Sequence, residues 1–169
     1  MMRPDVTELL EQLARHFRLY QELAELLARE QENLIHFNLD RLAETARSKG
    51  MIVERIRQSV FRVAENIGIV AARLGLAGEP LPTLARLAEA LEEPASGRLR
   101  RAGQRLARLK NDTFRHNHDN QGYVQEALGL VEDCLSVVKD AVQPASGRYL
   151  PTGLVAAGAS QALKLNRNV

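Results

Sequence analysis

Residues 95–142 decide the fold of this chain, and they read ASGRLRRAGQRLARLKNDTFRHNHDNQGYVQEALGLVEDCLSVVKDAV. From Leu99 to Ala141, mostly apolar residues recur at alternating intervals of three and four, which is the heptad spacing of a helix that packs against other helices. The spacing continues across residues 111–122, although Asn, Asp, Thr and Gly favour caps and turns. We therefore predict one continuous helix here, about 70 Å long at about 1.5 Å per residue.

Two further heptad patterns precede this stretch. The first runs from Leu10 to Leu34, and the second runs from Leu39 to Leu74 and includes Val53, Ile56, Val60, Ile67 and Val70. Asn38 or Asp40 is expected to cap the second helix, since both are good N-cap residues. A connection this short predicts that the two helices form an antiparallel hairpin.

Glycine and proline mark the remaining breaks. Pro80 and Pro82 interrupt the pattern, Thr83 opens a short apolar segment, and Pro94 ends it. We predict long helices at about residues 5–37, 39–74 and 96–142, with a short helix at 83–91. The expected fold is all-α: an antiparallel bundle of three long helices plus one short helix with coiled-coil-like packing, over residues 1–143. A flexible C-terminal tail, 144–169, follows it.

Composition agrees with a single helical domain. The chain has 169 residues, of which 45% are hydrophobic and 26% are charged, and it contains no tryptophan. Its 23 basic side chains nearly balance its 21 acidic ones. Residues 98–110 carry six basic side chains and no acidic one, but no aromatic residue lies among them to stack on bases. We therefore predict no nucleic-acid partner.

The sequence also predicts that the protein is cytoplasmic. Its single cysteine, Cys134, cannot form an internal disulfide. No apolar run approaches the ~20 residues of a transmembrane helix, so no membrane insertion is expected.

Signatures of enzymes are missing from the sequence. There is no glycine-rich phosphate loop, no nucleophile elbow and no Glu-x-x-His pair. His116 and His118 lie two positions apart, on different faces of a helix, and so cannot chelate one metal ion. A histidine phosphotransfer domain needs a histidine followed by Lys and Gly, and Lys49-Gly50 has none before it. We predict a protein that is not an enzyme, with no catalytic residue, cofactor or metal.

A polar layer is expected inside the bundle. We call the line of residues that a heptad pattern selects its seam, and Lys49 is the one charged residue on the seam of the second helix. It falls near the level of Asn120 if the long helix runs antiparallel to the second helix. Lys49, Asn117 and Asn120 are predicted to set the helix register at some cost in stability. The alternative for Lys49 is that its stem packs while its ammonium reaches water. Four acidic residues of the first helix are interpreted as a solvated face: Glu22, Glu25, Glu30 and Glu32.

The end of the long helix is the predicted partner site. Placing Leu74 beside Leu99 brings Leu42 level with Val131, so the long helix should extend beyond the hairpin. The apolar residues beyond the hairpin are expected to be covered by the tail, by a second copy of the chain or by a client helix. The predicted partner-binding residues are Leu135, Val138 and Val142 on the helix and Tyr149, Leu154 and Val155 on the tail. Whether the tail is a lid or a contact surface stays open at this point.

Several short motifs resemble the FlgN family of flagellar type III export chaperones. They are Leu19-Tyr-Gln-Glu-Leu-Ala-Glu-Leu-Leu27, Leu39-Asp-Arg-Leu42 leading to Lys49, Asn117-x-x-Asn120, and the segment from Tyr149 to Gly153. The resemblance implies a helical bundle that binds the C-terminal regions of the hook-associated proteins FlgK and FlgL. It also implies that the bundle prevents their premature aggregation and delivers them to the export gate or ATPase complex, with Tyr149 as a docking residue.

A second interpretation is a coiled-coil adaptor or regulatory helical domain that acts through self-association.

Overall fold

The computed structural model describes residues 4–76 and 81–142, of which 90% are helical and none is in a strand. The helices are α1, Pro4–Ile35; α2, Leu39–Arg73; α3, Leu84–Glu89; and α4, Ala95–Val142. The all-α class and the four helices are confirmed, and α4 is uninterrupted through residues 111–122. The predicted tail, 144–169, lies outside the described residues. No helix within the described ranges is both long and apolar enough to cross a membrane.

Side-chain caps explain where two of the helices begin. Asn38 precedes α2, and its side chain accepts a hydrogen bond from the Arg41 backbone N–H at 3.3 Å. Thr83 does the same for the Arg86 N–H at 3.2 Å at the start of α3. Each cap satisfies one of the backbone donors that the first helical turn leaves without a partner.

The chain divides into two compact units, Met1–Gln125 and Glu126–Val169. In the first unit the larger apolar cluster joins residues of all four helices: Val6, Leu9, Leu13, Ile67, Val70, Ala71, Leu87, Ala88, Leu99 and Leu106. A second cluster joins α1 to α2: Leu19, Leu23, Leu27, Ile52 and Ile56. The core of this unit therefore lies along α1.

Cross-helix contacts in the first unit follow a regular order. Between α1 and α2, Asp5 pairs with Arg73, His16 contacts Ser59 and Glu30 binds Lys49. Residue numbers fall along α2 as they rise along α1, which is consistent with an antiparallel hairpin. Between α1 and α4 the numbers rise together: Phe17 with Arg105, Tyr20 with Lys110, and Leu27 with Asn120.

The buried stripes coincide with the predicted heptad patterns only in part. On α2 the predicted Ile56, Ile67 and Val70 are buried, whereas Val53 and Val60 of the same pattern are exposed and Ile52 beside it is buried. On α1 the most buried stripe contains His16 and Glu30. Heptad spacing does not choose between two adjacent stripes of one helix, and here contact with the neighbouring helix selects the stripe.

Candidate functional site

One buried carboxylate connects three helices of the first unit. Glu30, on α1, is 8% exposed. Its Oε1 accepts a hydrogen bond from the Lys49 ammonium of α2, and its Oε2 accepts one from the Asn120 amide of α4 at 2.9 Å. Two of the three residues predicted for the polar layer therefore share this acceptor.

Asn120 is the most enclosed member of this network, with 2% of its surface exposed. Its Nδ2 donates a second hydrogen bond to the Leu27 carbonyl oxygen at 2.9 Å. Because both partners are acceptors, the orientation of the amide is determined by the contacts. Asn117 is half-buried, and in the part of the chain that the structure describes, the hydrogen bonds at this level come from Asn120 and not from it.

Glu30 was missed as a network residue, because the sequence interpretation placed it on a solvated face. It lies three positions after Leu27 and seven after Leu23, both of which are buried. This spacing puts Glu30 on the buried face of α1. The spacing is a signal in the sequence that distinguishes Glu30 from the exposed Glu25 and Glu32.

His16 is the one histidine buried among the described residues, at 2% exposure. Its Nδ1 lies 3.0 Å from the Ser59 hydroxyl, and its ring meets the Tyr20 ring edge to face. Burial, and then the positive charge of Lys110, lowers the pKa of His16 to about 4. A neutral, buried imidazole of this kind is a packing group with a hydrogen bond.

The second unit presents a different kind of surface. Along residues 126–141 of α4, Leu128 is 57% exposed, Leu135 is 53% exposed and Val138 is 55% exposed. Together with Val131 these residues recur at intervals of three, four and three, so they lie on one face, which we name the apolar stripe: Leu128, Val131, Leu135 and Val138. Leu130 and Val137 are exposed beside it.

The apolar stripe contains two of the predicted partner-binding residues, Leu135 and Val138. Val142 is the last residue of α4, and its side chain lies outside the described residues. Tyr149, Leu154 and Val155 lie outside them as well. The described residues contain no cluster of His, Cys, Asp and Glu that would hold a metal ion.

Charge accompanies the apolar residues of the second unit. Four carboxylates and one ammonium occupy the described part of this segment: Glu126, Glu132, Asp133, Asp140 and Lys139. An exposed apolar face on a charged helix is suited to hold another amphipathic helix.

Comparison with known families gives one clear result. The family model of the FlgN protein matches residues 1–156, which is most of the 169-residue chain. No curated protein and no solved structure gives a significant match. The family is one of chaperones in the biogenesis of the bacterial flagellum. The resemblance carried by the sequence motifs is thereby confirmed, and the chain belongs to the FlgN family of flagellar export chaperones.

Proposed function

We propose that this protein binds the C-terminal regions of the hook-associated proteins FlgK and FlgL in the cytoplasm, prevents their aggregation and delivers them to the export apparatus. The exposed apolar stripe of α4 is the observation that carries this proposal. Contiguous apolar surface on a soluble protein marks a site of interaction, since it is unfavourable to leave it in water. Family membership supplies the class of client.

Helix-in-groove recognition is the mode that the stripe supports. Leu128, Val131, Leu135 and Val138 span ten positions, or about 15 Å of helix. An amphipathic client helix of three turns would cover them with its own apolar face. We further propose that α1, α2 and the first part of α4 form an antiparallel bundle, in which the shared carboxylate of Glu30 sets the register.

Calorimetric titration with a C-terminal peptide of FlgK tests the stripe. Val138→Asp is expected to weaken binding at least about tenfold, because a carboxylate in an apolar contact must lose its hydration. Ser136→Asp is the matched control: it adds the same charge to the same exposed helix, on a different face. Normal binding by Val138→Asp would remove the site from this region.

Residues 144–169 are tested by deletion. We propose that Val142, Tyr149, Leu154 and Val155 form a switchable surface with the stripe, in which the client displaces the tail and Tyr149 then docks on the export gate. A lid predicts that deletion leaves client affinity unchanged or tighter. Weaker binding would instead identify the tail as a contact surface.

The competing function, an adaptor that acts by self-association, rests on the same exposed stripe. Size-exclusion chromatography with light scattering separates the two. A chaperone should be a stable monomer with a free apolar site, whereas an adaptor should form an obligate oligomer whose dissociation accompanies unfolding.

A further inference from the structure

The first half of α4 carries a row of arginines that the client site does not use. Arg98, Arg101, Arg105 and Arg108 are all exposed. Their intervals of three, four and three place them on one face over about 15 Å. We name this face the arginine ridge.

None of the four ridge side chains forms an ion pair within residues 4–76 and 81–142. Half of the other arginines in the same ranges do have carboxylate partners: Arg15, Arg55, Arg57, Arg73, Arg86 and Arg115. The ridge therefore concentrates four positive charges without an ion pair among the described residues, and a single carboxylate, that of Glu93, adjoins Gly97 together with Arg101. Most of the ridge charge is left for a partner.

A groove between α1 and α4 runs beside the ridge. Its floor is formed by Leu10, Leu13, Ala14 and Phe17 of α1 together with Ala102 of α4, and Arg18 and Arg105 lie at its rim. The guanidinium of Arg105 stands 5.0 Å from the centre of the Phe17 ring, so the ridge and the groove are contiguous. Arg18 is exposed and forms no ion pair among the described residues either.

We propose that this basic groove docks an acidic amphipathic helix of a partner protein, with apolar side chains on the floor and carboxylates on the arginine ridge. Guanidinium groups bind carboxylates through two parallel hydrogen bonds, which favours arginine over lysine at such a site. A helix with acidic residues at intervals of three and four presents its carboxylates at the spacing of the ridge.

The lining of the groove favours an acidic helix over nucleic acid. The floor is mainly aliphatic, and its one aromatic ring, Phe17, is half-buried with Arg105 over it, so bases have no free ring on which to stack. The site is also distinct from the apolar stripe in charge. The segment that carries the stripe has four carboxylates and one ammonium, so its net charge would repel an acidic helix that the ridge attracts.

The probe is a fluorescein-labelled amphipathic peptide of about 18 residues, with Leu on one face and Glu at the ridge intervals beside it. Anisotropy at near-physiological salt measures its affinity. The ridge variant combines Arg98→Gln, Arg101→Gln, Arg105→Gln and Arg108→Gln. The control variant removes four exposed charges elsewhere, on α1 and α2, by Arg29→Gln, Arg41→Gln, Arg47→Gln and Arg62→Gln.

Affinity should fall at least about tenfold in the ridge variant, because four modest contributions of exposed ion pairs add. The control variant should lose no more than about twofold, through long-range charge alone. Equal losses in the two variants would overturn the proposal, since net charge would then explain the binding.

Ala14→Tyr tests the groove itself without a change of charge. Ala14 is exposed, so the ring fills the groove and leaves the core intact. Loss of the peptide is expected, and unchanged affinity would overturn docking in the groove. Tighter binding of a single-stranded oligonucleotide of about 20 bases through the same arginines would overturn the acidic helix in favour of nucleic acid.

Binding at the arginine ridge and binding at the apolar stripe are tested by different variants. The ridge variant should bind the FlgK peptide as the wild type does, and Val138→Asp should bind the acidic peptide normally.

Discussion

The two parts of α4 share one heptad spacing but differ in how far their apolar residues are buried. Leu99 and Leu130 both belong to the seam that the sequence predicts, yet Leu99 is fully buried and Leu130 is 62% exposed. Leu99 belongs to the first unit, where it joins the cluster along α1, and Leu130 belongs to the second unit. The comparison teaches that periodicity specifies a helix and its apolar stripe, whereas the coverage of that stripe depends on which residues come to lie against it.

This difference separates stability from binding. Apolar side chains that are buried in the first unit contribute to its folding free energy. Those that remain exposed in the second unit contribute little to folding and keep their apolar area available for association. Three pairs of matched variants and one variant of His16 break or sharpen the comparison, beginning with the largest expected effect.

Truncation of the two seam leucines tests the comparison directly. Leu99→Ala should lower the free energy of unfolding by about 3 kcal/mol, through lost transfer energy and a residual cavity. Leu130→Ala should stay within about 0.5 kcal/mol of the wild type. Urea unfolding followed by circular dichroism measures both, and equal losses would mean that Leu130 is covered in solution.

Two ion pairs between α1 and α2 sharpen the role of burial. Lys49→Met leaves the buried carboxylate of Glu30 with Asn120 as its remaining donor, and should cost about 2 kcal/mol. Arg55→Met removes an exposed pair with Glu22 and should cost under about 0.5 kcal/mol. Urea midpoints of both variants give the comparison. A cost at Lys49 as small as that at Arg55 would indicate that Glu30 is hydrated in solution.

His16 gives the buried part of the molecule a dependence on pH. The unfolded chain takes up a proton on this histidine near pH 6.5, but the folded chain does so only near its lowered pKa of about 4. Stability is therefore complete above pH 6.5 and declines as the pH falls toward 4, by up to about 1.4 kcal/mol per unit from this group. His16→Gln should flatten the dependence of the melting temperature on pH between 6.5 and 5. An unchanged dependence would assign the loss to other groups.

Glycines on either side of the unit boundary give the smallest effect. A Cβ atom built on Gly122 or Gly129 meets nothing within 4 Å, so alanine fits at both positions. Gly122→Ala should raise the unfolding free energy of the first unit by about 0.5–1 kcal/mol, through helix propensity. Gly129→Ala should increase helix content without a change in the main unfolding midpoint, as measured by circular dichroism. A shift of the midpoint by Gly129→Ala would show that the two units unfold together.

Much of this fold follows from local rules in the sequence. Asn38 and Thr83 are strong caps, and both begin a helix in the structure. The uninterrupted spacing outweighed the poor helix propensity of residues 111–122. The sequence also brought Lys49 and Asn120 to one level, where both now contact Glu30.

What escaped prediction depends on contacts between helices. Glu30 carries a charge, and only its spacing from Leu23 and Leu27 reveals that it is buried. Val53 and Val60 share one heptad pattern with the buried Ile56, and only the contacts that α2 makes with its neighbours tell the exposed members from the buried one. The partner-binding residues stay a prediction, since an exposed stripe identifies a surface and not its client.

The carboxylate of Glu30 also bears on the order in which the chain folds. Its two donors differ greatly in sequence separation, with Lys49 19 residues away and Asn120 90 residues away. Closing the longer loop costs about 1.4 kcal/mol more in chain entropy. We expect the hairpin contact to be formed in the folding transition state and the Asn120 contact to form later. Substitutions at Lys49 should then slow refolding, whereas those at Asn120 should mainly accelerate unfolding. During folding, Glu30 is thus expected to bind Lys49 within the hairpin first and to accept the Asn120 hydrogen bond only when α4 packs against it.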